Sequence, residues 1–225
     1  MLGGRMKRSY SQLCGIATAL DMVGDRWALL VLRDLMLGPM RFSDLASGLP
    51  GIGTNTLTAR LKQLETAGVI RRRLLPLPDS GTVYELTEYG HELEPILMAL
   101  GRWGARSMGD LPPDVATRSR WLAAAMLAFH DERQRVRPPS TWELRLTDGP
   151  FTVHARGASL TVAAGAPEDA GIVVTASDTD LYRLLTHQFT PSEALASGAI
   201  TLDGDASTLQ GLLDLFAFPA VEAPA

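Results

Sequence analysis

Apolar and polar positions change period several times along this chain of 225 residues, and each change predicts an element. Ile16, Leu20 and Val23 recur at i, i+4 and i+7, the spacing of a helix with one apolar face. Asp25 stands where an N-cap belongs, ahead of a second helix carrying Trp27, Leu30, Val31 and Leu35 that stops at Gly38-Pro39. Both read as support helices. Phe42, Leu45, Ala46 and Leu49 predict a short amphipathic helix closed by PGIG at 50–53. The next helix, TNTLTARLKQLETAG at 54–68, puts Leu57, Leu61 and Leu64 on one face. Asn55, Ala59, Lys62 and Thr66 fall opposite, flanked by Thr56, Thr58 and Gln63. After Gly68 the period shortens to that of strands, VIRRRLL and GTVYELT, joined by a Pro/Asp/Ser/Gly turn. Leu93, Ile96, Leu97, Leu100 and Trp103 predict a further helix, kinked near its start by Pro95.

Gly and Pro concentrate in GARSMGDLPPD at 104–114, which predicts a boundary. The expected division is a domain at 1–106, a linker at 107–113, a domain at 114–218 and a disordered tail at 219–225. The second domain opens with a helix at about 114–135. Four strand-length segments follow, TWELRLT, FTVHAR, SLTVAAG and GIVVTAS. DTDLYRLLTHQF and PSEALASG then read as helices, AITLDG as a return strand and DASTLQGLLDLF as a last amphipathic helix. The fold class is a mainly α winged-helix domain followed by a small α+β domain with helices over one sheet face.

Composition narrows the chemistry. With 46% apolar and 20% charged residues the chain can bury a real core, and no apolar stretch is long enough to span a bilayer. Arg5, Lys7 and Arg8 do not open a signal peptide, because Asp21, Asp25 and Arg26 interrupt the segment that would follow. The one cysteine excludes an intramolecular disulfide framework, and a reducing cytoplasm is expected. The net charge of −4 divides unevenly, +3 over residues 1–106 and −7 over the rest. The first domain tolerates a polyanion and the second does not.

That charge gives the polar helix face a purpose. Thr54, Asn55, Thr56, Thr58 and Ala59 suit base edges in a major groove, and Arg60 and Lys62 suit phosphates. Beside them the hairpin forms a wing whose Arg71, Arg72 and Arg73 lie along the neighbouring backbone or minor groove. Catalysis finds little support. His91, His130, His154 and His187 lack metal-ligand spacing, there is no phosphate-binding glycine loop, and no serine sits in a nucleophile elbow. No catalytic residue, metal or cofactor is expected, and Glu168-Asp169, Asp178 and Asp180 are explained by turns and helix capping.

Residues 10–104 resemble the HxlR family of winged-helix transcriptional regulators, through LDMVGDRWALLVLRDLMLGPMRFSDL, TLTARLKQLETAGVI and YELTEYG. The resemblance implies a homodimer on a palindromic double-stranded operator, with the N-terminal helix and the helix after the wing forming the dimer interface. Gly53 and Thr54 depart from the Ser and Pro that the family more often offers there, which leaves the recognition helix less firmly capped. A cysteine near the first helix is frequent in the family, and the resemblance implies for Cys14 a sensor of oxidants, quinones or aldehydes. Arg5, Lys7, Arg8 and a helix N-terminus would favour its thiolate, whereas burial would make it a small packed residue.

Residues 115–218 resemble the sterol carrier protein type of domain, mainly through PSEALASGAITLDGDASTLQGLLDLF. This implies a cavity for a hydrophobic effector, lined by Leu181, Leu184, Leu185, Leu212, Leu213, Leu215 and Phe216. The same residues also read as plain core. The function expected is a dimeric transcriptional regulator controlled by an apolar molecule or by Cys14. The alternatives are a lipid carrier whose winged helix mainly dimerises it, and last an enzyme using the second domain's cavity.

Overall fold

A computed structural model describes residues 9–76, 78–107 and 117–218. The contacts divide the chain into two units, one ending at Leu93 and one beginning at Glu94. Among the described residues, no helix is long and apolar enough to cross a membrane.

In the first unit, α1 (Gly15–Val23) and α2 (Ala28–Leu35) precede a two-residue strand β1 (Met40–Arg41), which runs directly into α3 (Phe42–Gly48). The N-cap of α2 is Trp27, without a side-chain cap bond, and not Asp25, whose carboxylate instead accepts from the Trp27 N–H at 3.1 Å in the turn before the helix. The apolar face expected of α1 needs correction in part, since of Ile16, Leu20 and Val23 only Val23 is buried. Its inward residues are Ala17 and Val23, while Ile16 and Leu20 are 73% and 44% exposed. α4 (Thr54–Thr66) follows, with Leu57, Leu61 and Leu64 buried, each contributing about 1.5–3 kcal/mol by leaving water. The hairpin of β2 (Ile70–Leu75) and β3 (Gly81–Leu86) then pairs antiparallel, Arg71 opposite Glu85 and Arg72 opposite Tyr84. β1 adds a third strand, giving the order β1-β3-β2. Two residues are too few to show an alternating pattern, so β1 is invisible in the sequence.

The kink expected at Pro95 is a break instead. The chain folds into α5 (Glu88–His91), whose Thr87 cap accepts from the Gly90 N–H, and α6 (Glu94–Ala105). Pro95 occupies the first turn of α6, where a backbone N–H has no partner to lose.

The second unit starts with α6 and α7 (Ser119–Ala128), the latter shorter than the helix expected over 114–135. Residues 114–116 lie outside the described residues. The far end stops at Ala128 because the backbone turns to bond the closing segment: Asp131 N–H donates to Leu215 and Ala217 N–H to Phe129, both at 2.8 Å. β4 (Val136–Leu146), β5 (Gly149–Gly157), β6 (Ser159–Ala164) and β7 (Ile172–Ala176) follow. Then come α8 (Asp178–Leu185), α9 (Pro191–Ala196), β8 (Ile200–Asp203) and α10 (Ala206–Leu213). The sheet runs β6-β5-β4-β7-β8, with β4 and β7 parallel and every other pair antiparallel.

Trp142, Leu144, Phe151, Val153, Val162 and Val174 are buried at alternating strand positions, as are Leu122, Met126, Leu181, Leu184, Leu209 and Leu212 of the helices. Arg145, Arg156, Thr161 and Thr175 interleave with them in exposed positions, as a sheet with one solvated face requires. Asp178 does more than cap. Ser177 is the cap of α8, accepting from Asp180 N–H, while Asp178 is buried and accepts from Ser119 Oγ at 2.6 Å.

Candidate nucleic-acid interface

α4 is positioned from its buried side. Its three leucines sit in the core, and Gln63 Nε2 donates to the Asp21 and Met22 carbonyls at the end of α1, each at 3.2 Å. The opposite side is free. Thr54, Asn55, Thr56, Thr58, Ala59 and Lys62 are all exposed. The Thr58 hydroxyl donates back to the Thr54 carbonyl at 2.9 Å, and no described residue partners the side chains of Asn55, Thr56 or Lys62. Gly53 occupies the N-cap without a side-chain bond, as its lack of a side chain dictates.

Arg60 sits apart from that group. It lies about 140° around the helix from Asn55 at 100° per residue, toward the leucines. Its side chain is half-buried, its Nε 3.2 Å from Asp25, and it donates to Gln63. Asp25 thus braces the turn before α2 and anchors α4 together.

The wing arginines divide between two faces, because side chains alternate along a strand. Arg71 and Arg73 share a face, and Glu85 sits between them: its two carboxylate oxygens accept from Arg71 Nε at 2.8 Å and Arg73 Nε at 2.7 Å. The Arg73 bond, ahead of the Arg71 bond, holds the Glu85 carboxyl below its ordinary range. Arg72 points the other way. It donates to Glu65 of α4 at 2.8 Å through Nη2 and lies 5.8 Å from the centre of the Tyr84 ring. The Glu65 bond raises the Arg72 pKa further above its ordinary value.

Sequence reasoning missed two residues of this surface. Arg41 of β1 reaches the wing turn, donating to the Asp79 carbonyl at 2.9 Å and the Ser80 carbonyl at 3.1 Å. Nothing local to Arg41 announces partners 38 and 39 positions away. Glu85 did leave a signal: counting outward from the turn puts an acid opposite the first arginine of the basic strand.

Cys14 is exposed and occupies the N-cap of α1 without a side-chain cap bond, which corrects the packed reading. Arg5, Lys7 and Arg8, expected to favour its thiolate, lie outside the described residues. In the second unit, Leu181, Leu184, Leu185, Leu212, Leu213, Leu215 and Phe216 are all buried. The indole N–H of Trp142 is buried without a hydrogen-bond partner among the described residues. The tail at 219–225 lies outside the described residues.

Residues 22–111 match the HxlR-like helix-turn-helix family, and residues 125–217 match the SCP-2 sterol transfer family. An uncharacterised HTH-type transcriptional regulator of Synechocystis sp. is 41% identical over 93 residues, covering 41% of this chain and 69% of that protein. YvaP of Bacillus subtilis, likewise an uncharacterised HTH-type transcriptional regulator, is 35% identical over 96 residues, covering 42% of this chain and 89% of YvaP. Among solved structures, the reduced form of the B. subtilis transcriptional regulator YodB is similar at 31% identity and a TM-score of 0.38, covering 42% of this chain and 94% of that one.

Proposed function

The chain belongs to the HxlR-like helix-turn-helix family of DNA-binding transcriptional regulators, and from that premise we propose that it acts as a homodimer on a palindromic operator, under control of its second domain or of Cys14. α4 enters the major groove, with Asn55 and its threonine neighbours on base edges and Lys62 on a phosphate. Arg71 and Arg73 meet the adjoining backbone. The observation that carries this reading is the exposed, acid-free stripe of α4 beside an arginine hairpin, on a helix whose leucines fix its roll.

The dimer is supported by apolar surface that a monomer would not leave in water: Leu13, Ile16 and Leu20 in the first unit, and Ile96, Leu100 and Trp103 on α6. We keep residues 1–106 as the DNA-binding and dimerisation domain, 107–113 as its linker and 114–218 as the sterol-carrier-like domain. This second domain takes a hydrophobic molecule against its buried leucines and has no catalytic role. The unpartnered indole N–H of Trp142 supports a ligand there, because a buried donor left unpaired costs about 1–3 kcal/mol.

Selection of bound fragments from genomic DNA, followed by footprinting of the enriched sequence, tests the reading. The expected result is a two-fold symmetric protected site; recovery of fragments sharing no sequence would remove it and leave the lipid-carrier alternative.

A further inference from the structure

The geometry points to Glu85 as a positioning residue that holds Arg71 and Arg73 as a two-pronged clamp for successive phosphates of one nucleic-acid strand. This inference rests on the reading that the wing meets DNA. Arg71 and Arg73 are two residues apart on β2, so their backbones are separated by about 6.7 Å, comparable to the spacing of neighbouring phosphates along a strand. Each gives Glu85 only its Nε–H. The terminal amino groups of both guanidiniums have no partner among the described residues, and those are the donors that meet a phosphate.

Exposure agrees with that division of labour. The Arg71 and Arg73 side chains are 66% and 42% exposed, whereas Glu85 beneath them is only 13% exposed. The carboxylate is therefore covered by the cations it orients and is poorly placed to repel an approaching phosphate. Arg72 is not part of the clamp, because Glu65 takes both its Nε–H and one terminal amino group on the other face. A free arginine loses rotamer freedom when it binds; these two have surrendered part of it in advance.

Simple electrostatics makes the opposite prediction. Glu85 is an anion on a surface that faces a polyanion, so removing its charge would tighten binding to any duplex and steepen the salt dependence. The clamp predicts that losing Glu85 weakens binding although a negative charge is gone.

The test uses the full chain and a random-sequence DNA duplex, with affinity measured over a salt series. Arg71→Ala with Arg73→Ala should weaken binding and reduce the slope of log affinity against log salt by about 1.8, since each phosphate contact contributes about 0.9. Glu85→Gln should weaken binding by about ten-fold, the scale of one lost charge-assisted hydrogen bond, and should have no such effect in the double arginine variant. Glu85→Asp keeps the charge and shortens the reach, so it should weaken binding too. It carries the test if thermal unfolding shows that the Gln variant is not folded. Tighter binding or an unchanged affinity in a folded Glu85 variant overturns the clamp. An unchanged affinity and slope in the double arginine variant instead overturns the wing reading on which the clamp stands.

Discussion

The Arg41 guanidinium occupies the space that a side chain at Gly81 would need. Gly81 also has a φ of +149°, a conformation that favours glycine at the first residue of β3, whereas the Arg41 guanidinium is the far end of a flexible side chain and can shift aside. The pair fixes the wing turn from below, with Arg41 bonded to the carbonyls of Asp79 and Ser80. Gly81→Ala should therefore destabilise the fold by about 1–3 kcal/mol through backbone strain alone, and displace Arg41 as well. Arg41→Ala removes the steric part, so the double variant should cost less than the two single variants together. Denaturant unfolding of the four proteins measures the coupling; strict additivity would mean that the two positions do not share this corner.

Asn55 heads the exposed stripe of α4 and has no partner within the described residues. If it reads a base, Asn55→Ala should cost about 1–3 kcal/mol on the selected operator and relax preference at one base pair. Unchanged affinity across a set of single-base operator variants would move the reading face elsewhere on the helix.

Ile16 is 73% exposed on α1, and Leu13, ahead of the helix, is more exposed still. Ile16→Glu should leave monomer stability within about 0.5 kcal/mol, as surface changes do, while shifting the protein from dimer to monomer in sedimentation equilibrium. A dimer that survives this change would place the interface away from α1.

The Cys14 thiol is exposed on the folded chain, so a maleimide should label it without denaturant. A sensing role further requires that the labelled protein lose operator affinity and that Cys14→Ser bind DNA normally yet ignore thiol-reactive electrophiles. Normal DNA binding by the labelled protein would leave Cys14 as an exposed thiol with no part in control.

His130 joins α7 to the closing segment through a bridge with Phe216, and burial lowers its pKa from the ordinary imidazole value, partly opposed by Glu132 and Asp131. The folded state thus binds a proton less readily than the unfolded chain. The contribution is whole above the unfolded value of about 6.5 and is lost as pH falls through the depressed folded value. His130→Gln should flatten that part of the stability profile relative to the parent. Parallel profiles in thermal unfolding from neutral to mildly acidic pH would show that His130 ionises alike in both states.

The local elements, and most of their inward faces, were legible in the chain wherever one period ran long enough. The leucine face of α4, the hairpin of β2 and β3, and the alternating strands and capped helices of the second unit are written in neighbours two to four positions apart, because backbone geometry repeats at those distances. Packing across the fold set which members of one face were buried: Ile16, Leu20 and Val23 share the spacing of a core face, yet Val23 is buried together with Ala17 while Ile16 and Leu20 stay exposed. It also decided the ionic partners, joining Arg60 to Asp25, Arg72 to Glu65, and Arg41 to a turn 38 positions on. Strand β1 and the parallel pairing of β4 with β7 belong to the same class. Burial and ion pairing depend on what the rest of the chain brings alongside, and that proximity has no period to read.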